Sequence, residues 1–236
     1  ADLLDVGGES TRPGAAPVPP EEELRRVIPV VRALRQSTGL PISIDTTKAE
    51  VAGEALAAGA SMVNDVSGLR FDDRLAAAAA KAGAALCVMH MQGTPRTMQE
   101  APAYQDVVAE VLELLHGAAA RARAAGVPPE SILVDPGIGF GKTLGHNLLL
   151  LRRLGDLRQL GYPVLVGTSR KSFLGALTGG KPAGERLWAT LGSVAAVAAL
   201  GAADVVRVHD AGEAKDALAV ADAIRGATES GQAPKP

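Results

Sequence analysis

Aromatic side chains are almost missing from this sequence: one Trp, two Tyr and three Phe make up 3% of its 236 residues. Any core must therefore be built from Ala, Val, Leu and Ile, and at 47% hydrophobic content there is enough of them. Cysteine is reduced to Cys87. A single cysteine excludes an internal disulfide and fits a reducing compartment, the cytoplasm. Its place in the apolar run "AALCVMHM" reads as a buried structural thiol, not a nucleophile. No run reaches the ~18 uninterrupted apolar residues of a membrane-spanning helix, and the opening residues do not read as a signal peptide. Excess charge of one sign is lacking too. A net charge of −2 and a pI near 6.1 argue against a nucleic-acid or membrane-surface partner. There is no HExxH or CxxC, and the four histidines are scattered, so no metal cage is expected. An initiating Met is also absent: the chain opens inside an apolar run, "ADLLDVGG".

Glycine, by contrast, is plentiful and regularly placed. Gly39, Gly59, Gly83, Gly126, Gly161 and Gly201 each follow a helix-like stretch and precede a short apolar run. Glycine just past a helix end takes the left-handed conformation without a Cβ penalty. The runs that follow read as strands near 41–45, 61–64, 84–89, 131–135, 163–167 and 204–208, and 2–6 adds a seventh. Helices are predicted at 21–37, 48–58, 72–82, 104–125, 145–160, 184–200 and 213–226. The first opens with Glu21, Glu22 and Glu23 after Pro19-Pro20, acids suited to the positive end of a helix dipole. Leu24, Val27, Ile28, Val31 and Leu34 fall on one face of it.

Strands alternating with helices imply a parallel sheet covered by helices. Polar residues gather after strand upon strand, not at one switch point, which favours a (β/α)8 TIM barrel over a doubly wound sheet. Seven units are one short of eight, so a first βα unit is expected upstream of Ala1. Residues 1–227 are expected to form one barrel domain, and 228–236, with "ESGQAPKP", a disordered tail.

The seven strand ends run into "GGESTRPG", "DTTK", "NDVSG", "HMQG", "DPGIGFGK", "TSRK" and "RVHD". The opposite ends meet only Gly, Ala and Pro. One mouth of the barrel is thus dense in ionisable groups, at the end where barrel enzymes carry their sites. Asp45 and Asp135 are acids there; Arg12, Lys171, Arg207 and His209 are the cations. Guanidinium forks match phosphate oxygens, so Arg12 and Arg207 suit an anionic ligand. A buried Asp135 suits adjacent N–H donors, as on an amidine-like heterocycle. Asn64 both donates and accepts, and can read a mixed ring edge. The implied ligand is a flat polar ring at one end and an anion at the other. One such Asp alone would be read as a salt-bridge partner; two acids, an Asn and three basic residues around one mouth favour function.

Other features carry less. "VDPGIGFGKT" misses the Walker A pattern because Pro136 stands where a Gly is needed. Lys142 stands where a GxGxxG fingerprint needs its last Gly. "GTSRK" departs from the nucleophile elbow at Lys171, which makes Ser169 a poor nucleophile. Asp210 reads as a helix cap, His90 as structural, and His116 and His146 as surface or capping residues. All three phenylalanines follow strand ends. Phe140 is the best stacking candidate for a flat substrate, whereas Phe71 and Phe173 read as core plugs beneath the loops. Met89 reads as a soft wall against a ring or an ordinary core methionine.

Taken in order, "GGESTRPG", "SIDTTK", "NDVSG", "MHMQG", "DPGIGFGK", "GTSRKS" and "RVHD" resemble the dihydropteroate synthase family over nearly the whole chain. The resemblance implies condensation of 7,8-dihydropterin-6-ylmethyl diphosphate with 4-aminobenzoate in folate synthesis, a step targeted by sulfonamides. It implies that Asp45, Asn64, Asp135 and Lys171 hold the pterin, with Val66, Met89 and Gly167 as walls. Thr11, Arg12, Arg207 and His209 serve the diphosphate, and Arg12, Pro13, Phe140, Lys171 and Ser172 frame the aminobenzoate. Asp45, Asp135, Lys171, Arg207 and His209 are the implied catalytic set. Mg²⁺ is implied with the diphosphate, its protein ligand lying in the segment expected before Ala1. A homodimer through outer helices is implied as well. A pterin-dependent methyltransferase and an inactive pterin-binding homologue remain as alternatives. Free diphosphate competes for the site only under the synthase reading.

Overall fold

The computed structural model describes residues 1–227; the expected disordered tail lies outside the described residues. Seven short parallel strands alternate with helices: β1 (Leu4–Gly7), β2 (Ile42–Asp45), β3 (Met62–Asp65), β4 (Ala85–Met89), β5 (Ile132–Asp135), β6 (Leu165–Val166) and β7 (Val205–Val206). β1 to β5 pair in sequence order, β6 pairs with β7, and a parallel bridge from Val134 to Val164 joins the two sheets. This is the parallel α/β barrel arrangement, with seven strand–helix units among the described residues.

Alternation along each strand sorts the side chains. Ile42, Ile44, Val63, Leu86, Val88, Ile132 and Val134 point outward into the main core, beneath the helices. On the other face Met62, Cys87 and Leu165 form a separate apolar cluster, with Leu3, Ala85, Leu133 and Val205 against it. This inner cluster is the floor on which the polar groups sit. Register then sets their height: Gly7 lies beside Asp45, Asp45 beside Asn64, and Asn64 beside Cys87, while Met89 lies beside Asp135. Strands covered on both faces are apolar for most of their length, which is why the sequence shows runs instead of strict alternation.

The helices are α1 (Pro20–Ser37), α2 (Ala49–Ala57), α3 (Leu75–Ala82), α4 (Val107–Ala124), α5 (Leu144–Arg152), α6 (Ser172–Leu177), α7 (Leu187–Ala199) and α8 (Ala211–Gly226). In α1, Pro20 sits at the first turn, where its missing N–H costs nothing. Val27 and Val31 are buried, and Leu24, Ile28 and Leu34 pack against the same core. Glu23 is not a solvated first-turn acid: it is fully buried, with its Oε2 2.5 Å from Lys48 Nζ. Gly59, Gly83, Gly126, Gly161 and Gly201 have positive φ. Gly39 does not, because α1 ends at Thr38 in extended conformation.

The helix predicted at 145–160 is divided: α5 stops at Arg152 and a 3₁₀ segment, Leu154–Leu160, completes it around Gly155. The six-residue α6 was too short to carry a helical period in the sequence. Asp210 stands at the N-cap of α8, but its side chain makes no cap bond. Its carboxylate instead accepts from Arg170 Nη2 at 2.6 Å and Nε at 3.2 Å, and a bidentate guanidinium outcompetes a backbone amide.

Candidate active site

The polar residues at the strand ends converge above the inner cluster. Arg207, just past β7, donates from Nε to Asp5 Oδ2 at 2.6 Å and from Nη2 to Asp45 Oδ2 at 3.0 Å. It thereby ties the last strand to the first two. Its backbone N–H donates to Val166 O, so β6 holds the guanidinium's base in place. β7 ends at Val206, so Arg207 and His209 lie on the following loop, not on a strand face.

Asp45 is 8% exposed. Burial, and then the neighbouring Asp5 carboxylate, push its pKa up to about 7 against the pull of Arg207. Asn64, beside it, is buried, and its Oδ1 has no hydrogen-bond partner. Asp5 Oδ1 and Ser43 Oγ, on paired inward positions of β1 and β2, are also unpartnered. Buried oxygens without donors are uncommon in native proteins, and three on adjacent strands mark where a donor-bearing ligand would be satisfied.

Asp135 ends β5 and is buried, its Oδ1 accepting from Gly137 N at 2.6 Å. Burial raises its pKa, opposed by Lys171, the Gly137 amide, Lys142 and Arg207. Lys171, before α6, donates from Nζ to the Ile138 carbonyl and stands 4.9 Å from the Phe140 ring centroid. Burial lowers its pKa to about 8, so it is charged at neutrality with little to spare. Gly167 lies between these groups. A Cβ there would meet Arg207 Cβ at 3.7 Å and Lys171 Nζ at 3.8 Å, ordinary contacts. Nothing inside the protein demands a glycine at 167, whereas a flat ligand laid on that backbone would. Opposite, Val66 and Met89 are buried with Met91 and Met98, and Phe140 packs on the cluster.

His209 is held by Ser169: its Nδ1 lies 2.8 Å from the Ser169 hydroxyl, which also accepts from His209 N at 3.2 Å. Burial and the Arg170 and Arg207 charges lower its pKa, leaving a neutral imidazole whose Nε2 edge is not engaged by Ser169. Ser169 thus fixes the orientation of the imidazole. Cys87 is fully buried, and burial together with the surrounding acids raises its thiol pKa well above the ordinary value.

The loop after β1 carries Thr11, Arg12 and Pro13. It is pinned by Gly14 N donating to Pro95 O at 3.1 Å and, nearer β1, by Glu9 pairing with Lys48. Arg12 and Pro13 are exposed, and Arg12 makes no side-chain ion pair among the described residues. Thr11 lines a cavity of about 450 Å³ shared with Asp45, Val66, Phe71 and Arg96. The structure therefore groups Asp45, Asn64, Val66, Met89, Asp135, Phe140, Gly167, Lys171, Arg207 and His209 around the barrel mouth. Ser172 opens α6 beside Lys171, and Arg12 and Pro13 stay at the loop tip. Phe173 is buried as expected. Phe71 is not a core plug: it is 45% exposed on the cavity wall, with Arg70 5.7 Å from its ring centroid.

Two site residues were missed in the sequence. Asp5 sat inside an apparently ordinary strand, and Lys142 was weighed only as a mismatch to glycine-rich motifs. Its ammonium is buried beside His90. His90 is structural, as expected. His146 takes part in a capping box with Thr143 at the start of α5.

Residues 1–209 match the family described as "Pterin binding enzyme". Among curated proteins, the chain is 49% identical over 224 residues to a dihydropteroate synthase of Synechocystis sp., covering 95% of this chain and 77% of that one. It is 49% identical over 230 residues to that of Escherichia coli, covering 98% and 80%. Among solved structures, the Yersinia pestis dihydropteroate synthase in a sulfonamide drug complex superposes with a TM-score of 0.92 at 43% identity, covering 96% of this chain and 82% of that one. The Thermus thermophilus enzyme in complex with 4-aminobenzoate superposes with a TM-score of 0.88 at 48% identity, covering 95% and 84%.

Proposed function

Because the chain belongs to the pterin-binding enzymes, and among them to the dihydropteroate synthases, we infer that its barrel mouth joins 7,8-dihydropterin-6-ylmethyl diphosphate to 4-aminobenzoate. The observation that carries this reading is the vertical order of the site. Buried acceptors (Asp45, Asn64, Asp135) lie on the apolar floor, and cations (Lys171, Arg207) stand around them. A pterin has an amidine edge of adjacent N–H donors and a flat face; its diphosphate is an anion one methylene away.

Asp135 accepts the amidine N–H groups, Asn64 and Asp45 read the remaining ring edge, and Lys171 donates to a ring acceptor. Val66, Met89 and Gly167 are the walls. Arg207 has used Nε and Nη2, and its Nη1 is left for a phosphate oxygen. His209, with Thr11 and Arg12 from the loop, completes the anion site. Phe140, Lys171, Ser172, Arg12 and Pro13 frame the aminobenzoate, whose carboxylate the cations attract.

The reaction follows from this placement. The C–O bond between the methylene and the diphosphate breaks, and its electron pair leaves with the diphosphate. The cation that develops is spread into the electron-rich ring and stabilised by Asp135, while Arg207 and His209 receive the growing negative charge. The aminobenzoate nitrogen forms the new C–N bond and then loses a proton to solvent. Preorganised charge of this kind is often the largest catalytic contribution. Neither Cys87 nor Ser169 is placed as a nucleophile, so no covalent enzyme intermediate forms.

Mg²⁺ is the cofactor implied with the diphosphate. Among the described residues no three His, Cys, Asp or Glu side chains come together as a cage. The carboxylates beside Arg207, Asp5 and Asp45, are already engaged by it. These residues do not fit a protein-held metal.

We also propose a homodimer. It is supported by an apolar groove between α5, α6 and α7, lined by Leu148, Leu151, Leu174, Leu177 and Leu200, with Trp188 76% exposed nearby. Residues 1–227 act as the pterin-binding unit, with small molecules as partners. No helix is long and apolar enough to cross a membrane; a cytoplasmic setting rests on the lone buried Cys87.

The deciding experiment incubates the protein with the pterin diphosphate, 4-aminobenzoate and MgCl₂. Equimolar dihydropteroate and diphosphate support the reading; their absence from folded protein overturns it. Phe140→Ala should raise the aminobenzoate KM about tenfold, the value of one aromatic contact, and leave the pterin KM nearly unchanged. Steady-state kinetics with each substrate varied in turn checks this.

A further inference from the structure

Lys142 is 3% exposed, and its side chain turns back onto its own loop and His90. Its Nζ donates to Gly137 O at 2.9 Å and to Phe140 O at 3.0 Å, and lies 2.8 Å from His90 Nδ1. An ammonium has three N–H donors, and each has an acceptor here. Burial drives the His90 pKa down to about 3, so the imidazole is neutral. Accepting at Nδ1 places its proton on Nε2. Burial pulls the Lys142 pKa well below its ordinary value and the Asp135 carboxylate pulls it back; three acceptors around Nζ are what the protonated form needs. A buried lysine is costly unless its charge is used, so this arrangement calls for a purpose.

The purpose is visible one bond away. The Gly137 residue is clamped from both sides: its N–H is held by Asp135 Oδ1 at 2.6 Å and its carbonyl by Lys142. Gly137 has φ +66°, and a Cβ on it would lie 1.8 Å from His90 O, so only glycine fits against His90 here. His90 N in turn donates to the Asp135 carbonyl at 3.0 Å. The same ammonium holds the Phe140 carbonyl, and with it the ring under Lys171.

We propose that Lys142 is a positioning residue: from behind the site, its ammonium orients the Asp135 carboxylate through Gly137 and favours its ionised form for the pterin. This deepens the pterin reading of Asp135 and rests on it. Lys142 reaches no substrate atom and is not a catalytic residue. The groups facing Asp135 are Lys142 on its own loop, Lys171 before α6, Arg207 after β7, and Cys87 and His90 on and after β4. Removing one of three nearby cations raises the carboxyl pKa by about one unit. Pterin binding then fails at a higher pH as acid is added.

The test compares the wild-type protein with Lys142→Met, which removes charge and donors, and Lys142→Gln, which keeps donors without charge. The probe is 6-hydroxymethyl-7,8-dihydropterin, titrated by calorimetry across the acid range. Both variants should move the acid limb of binding up by about one unit. Lys142→Met should also weaken affinity at neutral pH about tenfold, as a misplaced site does. A lysine serving stability alone would lower the melting temperature and leave the acid limb in place, and that result overturns the proposal. If the wild type binds no probe, the pterin reading itself fails and takes this inference with it. A third measurement covers variants that do not fold: the ¹⁵N resonance of the wild-type Lys142 ammonium should shift on probe binding, and an unmoved resonance counts against the role.

Discussion

Asp135→Asn should lower kcat/KM for the pterin diphosphate by about a thousandfold while changing the aminobenzoate KM only slightly. The substitution keeps the shape of the side chain, and its Oδ1 still accepts from Gly137 N. It replaces one acceptor oxygen by an N–H₂ group, which then faces the N–H donors of the ring. A site built to hydrogen-bond a group rejects a mismatched partner by three or more orders of magnitude, because buried polar atoms are left opposed. The charge is lost as well, so the cation that develops beside the leaving group has no counter-charge below it.

Stability should move the other way. The Asp135 pKa is raised above its ordinary value of 3.8, chiefly by burial. A raised carboxyl gives stability that is fully present below the unfolded pKa and is lost as pH rises through the folded one. Asparagine cannot ionise, so this loss disappears, and the variant should melt at or above the wild-type temperature at neutral pH. Steady-state kinetics with each substrate, alongside melting curves at two pH values, checks both halves. Equal losses for the two substrates would sink the role given to Asp135.

How much of this was legible in the sequence depended on distance along the chain. The strand ends were legible because the apolar runs stop at polar residues within a few positions, as at Ile44-Asp45 and Val134-Asp135. Left-handed glycines marked most helix ends, since that conformation is a local demand. What the sequence hid was set by contacts across the barrel. Asp5 looked like a stray acid in an apolar run; its partner Arg207 is 202 residues away. Lys142 gave no sign of burial, because only the curl of the loop through Gly137, Gly139 and Gly141 brings its ammonium under His90. Asp210 fitted a cap by position, yet the arginine 40 residues earlier took it. Phe71 was assigned to the core from its place after a strand end, but whether an aromatic there turns inward or lines the cavity depends on the loop above it.

Arg207→Ala should reduce kcat/KM by two to three orders of magnitude, the scale of about 3–4 kcal/mol seen when one preorganised donor to a developing anion is lost. The loss should fall on kcat and on affinity for the product diphosphate, with the aminobenzoate KM moved least. Calorimetry with diphosphate reads this directly, and an unchanged affinity refutes the assignment. A second effect follows from the bridge that Arg207 makes. Without it Asp5 and Asp45, diagonal neighbours on paired strands, have no cation between them. The Asp45 pKa, already about 7 with Arg207 pulling it down, should climb further. Its stabilising contribution, complete below the unfolded value of 3.8, then fades at a higher pH than in the wild type. With the counter-charge gone, raising the pH through that range must ionise a buried acid beside a second one. The melting temperature of Arg207→Ala should therefore fall more steeply than the wild type's from neutral to mildly alkaline pH. Adding Asp45→Asn should remove most of that slope without restoring diphosphate affinity, because the two roles of the guanidinium belong to different N–H groups.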